Sequence, residues 1–325
     1  MERKTVLITG IGGNVGQGIL RNIQSLQWPI RVVGCDIAAY TSGNYLCDAT
    51  YQVPYSYQEN YISVVNDIIK KEKIDLVIPS TDYEVYYLAL NSEKLAAPAV
   101  TCDALMAKTF LDKYATYKCF SENGISFSKS WLPEEFDFSV KQYIAKPREG
   151  RGSRGILINP ENVKSLGDDY LIQELHQGIE ITTAIYVNRQ GLIHGIFSME
   201  RKLENGTTSQ TIVNDKFNAE FLKIAQQIVD LGGIRGSINL QSIVDEHGRI
   251  SPFEVNGRIS GTNSIRHCFG FQDVKYVIQE YLYNQQPDKP VTIKGVASRI
   301  LLDVIYTNAD NFESLKDKSS KHIIY

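Results

Sequence analysis

Cysteine is scarce and scattered in this chain of 325 residues: there are five, at Cys35, Cys47, Cys102, Cys119 and Cys268. The number is odd and no CxxC pair occurs, so neither a disulfide framework nor a thiolate zinc site is supported. Each cysteine reads as a small buried hydrophobe in a reducing compartment. A basic surplus is missing too. Charged residues make up 22% of the chain and the net charge is -3, which leaves no electrostatic footprint for nucleic acid. No apolar run reaches the length of a membrane span. The N-terminal MERKTVLITG lacks the long apolar stretch and small-residue cleavage site of a secretory signal. A soluble, cytoplasmic protein acting on small molecules is the expectation. No GK[ST] and no GxSxG occurs, which argues against a Walker A loop and a hydrolase nucleophile elbow.

What is present is ample core material, with 43% hydrophobic residues. The length favours two or three domains over one. Residues 1–99 alternate strand and helix signals. Strands are expected at 4–9, 31–36 and 75–79, and helices at 15–27, 59–71 and 85–95. That rhythm predicts a Rossmann-like parallel sheet. After Pro98 the pattern changes. A helix is expected at 111–123 and a loop at 131–137. Strands follow at 142–146, 170–175, 180–188, 191–198, 236–244 and 250–255. Helices at 216–231 and 274–283 interrupt them. Turns at 188–191 and 245–248 suit hairpins. This is an α+β pattern with antiparallel sheets. Divisions are expected at 1–99, 100–170, 171–290 and 291–325, the last a C-terminal extension with one further strand at 296–305.

Residues 9–16 read TGIGGNVG, between a strand and a helix, where glycines let a backbone approach a phosphate. Asp36 ends the next strand, where a dinucleotide site has its ribose-binding acid. With Tyr114 and Lys118 as a YxxxK pair, these features also suit an NAD(P)-dependent short-chain reductase. The pair is equally a plain i, i+4 face in a chain with 19 tyrosines.

Three further segments carry chemistry. In YIAKPREGRGSRG, a strand ends on Lys146 and a loop follows with Gly150, Gly152, Ser153 and Gly155. Such a lysine reaches phosphate oxygens as a point charge, and the glycine amides can converge on one anion. Alone it reads equally as a flexible hairpin loop. In LIQELHQGIEITTAIY, the Gln173–Glu174 pair precedes a glycine turn and then Glu180. Such a connector can offer backbone groups to an adenine edge, and Glu180 can accept from ribose hydroxyls; alone it is an ordinary acidic surface. In the third, Glu254 and Asn256 stand two apart on a strand and share a face. Gln241 faces them if the hairpin forms, and Arg258 follows. One carboxylate and two amide oxygens suit magnesium. A carboxylate in PFEVN is costly to bury unless paired or metal-bound.

Together the three segments resemble the ATP-grasp superfamily, in its biotin carboxylase and carbamoyl-phosphate synthetase large-subunit type. The resemblance runs from about residue 103 to 283, and the first unit suits the family's pre-grasp domain. Glu254, Asn256 and Arg258 form its most specific match. The resemblance implies ATP with Mg2+ (or Mn2+) held by Gln241, Glu254 and Asn256. It also implies Lys113 and Lys146 on the phosphates, and Gly150, Gly152, Ser153 and Gly155 as a loop closing over them. By the same likeness Gln173, Glu174 and Leu175 line the adenine, and Glu180 holds the ribose. Arg258 and Lys146 become the catalytic candidates, and Arg201 or Lys202, with Arg266, the substrate contacts. The implied enzyme is a single-module ligase that joins a small carboxylate to an amine through an acyl phosphate, and it can be a homodimer. A non-catalytic ATP-binding regulator with the same fold is the remaining alternative.

Overall fold

The computed structural model describes residues 1–150, 152 and 154–325. Ser153 and Arg151 of the glycine-rich loop therefore lie outside the described residues. The first unit contains β1 (Lys4–Thr9), α1 (Asn14–Ser25), β2 (Ile30–Asp36), β3 (Ala49–Gln52), α2 (Tyr61–Glu72), β4 (Leu76–Ile78) and α3 (Asp82–Leu90). Its sheet runs in the order β3-β2-β1-β4 and is parallel throughout. Val6, Leu7 and Ile8 of β1 are fully buried, as a strand covered on both faces by helices must be. The chain moves outward from β1 to β3 and then returns to the other flank for β4. The loops after β1 and β4 therefore part and leave a crevice, the usual ligand position in such sheets. Gly10 makes the turn after β1. Its φ is +60, and a Cβ there would stand 2.4 Å from the Ser80 hydroxyl, so only glycine fits.

Two helices differ from expectation because of side-chain caps. α3 begins three residues earlier than the apolar pattern suggests. Thr81 accepts from the Glu84 amide at 3.3 Å and donates to the Glu84 carboxylate at 2.8 Å, a Thr-x-x-Glu start. The helix expected at 111–123 is α5 (Lys113–Glu122), and α4 (Ala104–Leu111) before it was not foreseen. Asp112 sets the start of α5 by capping the amides of Tyr114 and Ala115.

The rest of the chain builds two antiparallel sheets. The smaller has the order β5-β8-β6-β7, from β5 (Ser130–Trp131), β6 (Tyr143–Pro147), β7 (Leu157–Ile158) and β8 (Tyr170–Glu174). β8 spans the division expected at 170/171 and pairs with β6. The larger sheet has the order β13-β12-β9-β10-β11-β14. Its strands are β9 (Ile179–Val187), β10 (Ile193–Glu204), β11 (Thr207–Val213), β12 (Gly236–Val244), β13 (Ile250–Asn256) and β14 (Val296–Ser298), with α6 (Asn218–Asp230) between β11 and β12. β10 is longer than the expected 191–198, and β11 was not foreseen. Asn205 (φ 50) and Gly206 (φ 71) join them, two successive positive φ values of the kind a tight hairpin needs.

The expected helix 274–283 is α8 (Asp273–Val277) followed by a wider turn at Ile278–Leu282, and α7 (Asn263–Cys268) precedes it. The strand expected at 296–305 is two pieces. β14 joins the large sheet, and β15 (Val304–Ile305) pairs with β16 (Ile323–Ile324). One core joins the units: Val6, Ile8 and Ile19 pack with Ala184, Tyr186, Phe197 and Phe271. Among the described residues no helix is long and apolar enough to cross a membrane.

Candidate functional site

The crevice beyond β1 and β4 opens into a cavity of about 830 Å³ shared by both units. Gly10, Gly12, Gly13 and Asn14 line one side, with Asp36 and the 80–84 segment. Lys113, Lys146, Gly150, Gly152, Arg154 and Glu180 line the other, with Gln241, Glu254, Asn256 and Arg258 between.

Strand geometry brings the acid and amides together. β12 and β13 pair antiparallel, with Gln241 opposite Glu254 and Asn239 opposite Asn256. Glu254 and Asn256 share the cavity face, and the Asn256 amide donates to the Glu254 carboxylate at 3.2 Å. Burial by itself would raise the Glu254 pKa. The positive charges of Lys113, Lys146, Arg201 and Arg258 outweigh it and hold the carboxyl below its ordinary value. An ionised carboxylate and two amide oxygens at one place form a hard-oxygen set suited to magnesium. Among the described residues no three His, Cys, Asp or Glu side chains group as a metal site, so such a cation depends on the amides.

The cations are fixed by the backbone around them. Lys113 begins α5 and is 8% exposed. Its ammonium donates to the carbonyls of Arg148 and Gly150, at 3.4 and 3.2 Å. Lys146 is the penultimate residue of β6, is 4% exposed, and donates to the Phe253 carbonyl at 3.3 Å. Burial pushes its pKa down to about 8, with Lys113 also lowering it, against the pull of Glu254 and Glu180. Arg258 lies just past β13. Its guanidinium donates to Asp82 at 2.8–2.9 Å, to Asn256 at 2.6 Å and to the Ile259 carbonyl at 3.2 Å.

Two family models match this chain. Residues 6–102 match the PylC-like N-terminal domain, and residues 110–262 match the ATP-grasp domain. The chain belongs to the ATP-grasp superfamily. No curated protein matches it in sequence. Among solved structures it is similar to N5-carboxyaminoimidazole synthetase from Staphylococcus aureus complexed with ADP, at a TM-score of 0.75 and 16% identity, over 93% of this chain and 83% of that one. It is also similar to the biotin carboxylase domain dimer of Hydrogenobacter thermophilus 2-oxoglutarate carboxylase, solved with MgADP, ADP and bicarbonate (TM-score 0.69, 14% identity, 92% of this chain and 75% of that one). L-amino acid ligase from Bacillus licheniformis gives a TM-score of 0.69 at 15% identity, over 90% and 76% of the two chains. At such identities the likeness is one of fold.

Several expected ATP-grasp residues lie elsewhere. Lys202 is exposed and does not line the cavity, whereas its neighbours Arg201 and Leu203 do. Alternation along β10 turns Lys202 to the opposite face. Arg201 stands in its place, donating to Glu180 (2.7 Å from Nε) and to Gln241. Arg266 is fully buried and paired with Asp273, so it cannot touch a substrate. It instead donates to Ser260 and Thr262, at 2.8 and 3.0 Å, and holds that loop from behind. Gln173, Glu174 and Leu175 do not line the cavity. Gln173 faces inward and donates to Ser130 and to the Phe253 carbonyl. Tyr114 donates to Glu135 at 2.7 Å, and Lys118 is exposed. Neither lines the cavity, so the reductase pair is not assembled beside the glycine turn. Of the expected pair Arg201 or Lys202, it is Arg201 that meets the cavity; reading the motifs one by one missed Asp82. Asp82 carried a signal, the Thr-x-x-Glu start beside it.

Proposed function

We propose that this ATP-grasp protein is an ATP- and magnesium-dependent ligase that joins a small carboxylate to an amine through an acyl phosphate, releasing ADP and phosphate. The observation that carries the reading is the convergence of Glu254, Asn256, Gln241, Arg258 and two buried lysines on one cavity wall. The glycine turn of the first unit opens into the same cavity, which leaves room for an acid and an amine beside the nucleotide.

Each residue then has a role. Lys146 and Lys113 bind phosphate oxygens, and the amides about Gly150, Gly152 and Gly155 cover them. Glu180 takes ribose hydroxyls. Gln241, Glu254 and Asn256 would hold Mg2+ or Mn2+. The metal, when bound, supplies charge neutralisation on the β- and γ-phosphates. Arg258 faces the charge that develops on the group in transfer. Positioning and neutralisation supply the rate, and no side-chain nucleophile is needed. Arg201 contacts both Glu180 and Gln241 in the free protein, so nucleotide and metal displace or share those bonds.

The test is incubation with ATP, magnesium and pooled amino acids and small carboxylic acids, with ADP and AMP resolved by chromatography. The expected result is ADP and phosphate with particular pools only. AMP and pyrophosphate would overturn the acyl-phosphate chemistry. Tight ATP binding without release of ADP in any pool would favour the regulator.

A further inference from the structure

Arg258 is held by three groups, and one of them belongs to the other unit. Asp82 is the first residue of α3, in the parallel-sheet unit, 176 residues away in sequence. One of its oxygens accepts from both Nε and Nη2 of Arg258, at 2.9 and 2.8 Å. Both side chains are shielded, with 13% and 19% exposure. The other carboxylate oxygen of Asp82 is buried and has no partner. It is a poor arrangement for stability alone, since a buried acceptor left unpaired loses its hydration with nothing in return. Beside it lies a small space of about 20 Å³, lined among others by Asp82, Lys113, Glu254 and Asn256, with room for about one water.

Arg258 is also held by the Asn256 side chain, at 2.6 Å, and by the Ile259 carbonyl, at 3.2 Å. The Asn256 oxygen is also one of the proposed metal ligands. A metal there competes for the oxygen that Arg258 uses, and Asp82 then remains as the side-chain anchor. We infer that Asp82 is the positioning residue for Arg258, so that the first unit sets the aim of the guanidinium on the group in transfer. The inference rests on the ligase reading for its kinetic consequence but not for its geometry.

The anchor is stable where it stands. Thr81 caps α3 and fixes its first turn, and the helix dipole favours a carboxylate there. Among the described residues Asp82 bonds to Arg258 and to none of Lys113, Lys146 and Glu180, the residues proposed to hold the nucleotide, so its loss should leave ATP binding intact.

The test is a kinetic cycle of Asp82→Ala, Asp82→Glu, Arg258→Ala and the double variant. A misaimed group can cost up to about 10²-fold in rate, so Asp82→Ala should lower kcat by about 10- to 100-fold while the KM for ATP stays within about threefold. Asp82→Glu should recover part of the loss. On the Arg258→Ala background the Asp82 change should cost nothing further. An unchanged kcat, or losses that simply multiply, overturns the proposal.

A second readout needs no turnover. In protein with isotope-labelled arginine, the Nε–H signal that Arg258→Lys removes should exchange slowly with water. In Asp82→Asn it should exchange fast while the other arginine signals stay. Persistence of slow exchange overturns the proposal. Absence of ADP release from the wild-type protein with every acid and amine would sink the ligase reading instead, and this signal would then judge Asp82 alone.

Discussion

Lys146 carries its charge at an unfavourable place. It is almost fully buried, and its pKa falls to about 8 from the ordinary 10.5. A phosphate brought against it favours the charged form. The free protein holds that charge below about pH 8 and loses it above. The affinity for ATP should therefore be greatest below that pH and decline as pH rises through it. Titration calorimetry across that range checks this, and Lys146→Gln should flatten the profile while weakening binding. Arg258 is the second point of control. Arg258→Ala should lower kcat by about 10²–10³-fold, as loss of a transition-state donor does. Near wild-type turnover would remove it from the chemistry. These residues were legible because their pattern is local: Glu254, Asn256 and Arg258 follow at intervals of two on one strand and its exit. Lys202 and Arg266 were misread for a physical reason. One position of register on β10 decides which basic side chain meets the cavity. Nor can any spacing reveal that Asp273 lies within reach of Arg266.

At the scale of elements, caps decide where the lysines stand. Asp112 ends α4, caps α5 and pairs with Arg148 at the start of the glycine-rich loop. Its carboxyl is held below its ordinary value by Arg148 and two amides, against the effect of burial. Asp112→Ala should cost about 1–2 kcal/mol through loss of the cap. It should also loosen Lys113, which is bonded to the loop carbonyls. Thermal melting and ATP affinity measured together check this: both should fall. The spacing of 111–123 gives α5 to within two residues, whereas α4 before it escaped notice because Asp112 parts the two helices without a glycine or proline. β11 escaped notice for a related reason. Its sequence, TTSQTIV, is polar at most positions, and β-branched threonines make it a strand only against neighbours. The apolar run of β1 and the alternating Ile238 and Leu240 of β12 needed no such context.

At the scale of the molecule, the two units work as one because they share a core and a set of buried polar ties. Asn22 of α1 donates to Asn263 of α7. Behind that tie, within the second unit, Arg266 and Asp273 are both fully buried and form an ion pair. Ser237 of β12 also donates to Asp273, at 2.7 Å. Removing one member leaves a buried charge uncompensated. Arg266→Met should therefore cost about 3–5 kcal/mol, read by denaturant unfolding, and should weaken turnover through the 260–262 loop it supports. The order of sheets was readable from the switch between strand–helix alternation and strand-rich sequence at Pro98. The sharing of one cavity by both units was not, since it depends on how the first sheet's crevice meets β13.

The central claim is that a carboxylate is activated by transfer of the γ-phosphate. The most direct measurement follows heavy-oxygen label from the carboxylate that elicits ADP release. The account predicts one labelled oxygen in the inorganic phosphate for each product formed. Label in AMP, or phosphate free of label at full turnover, would contradict it.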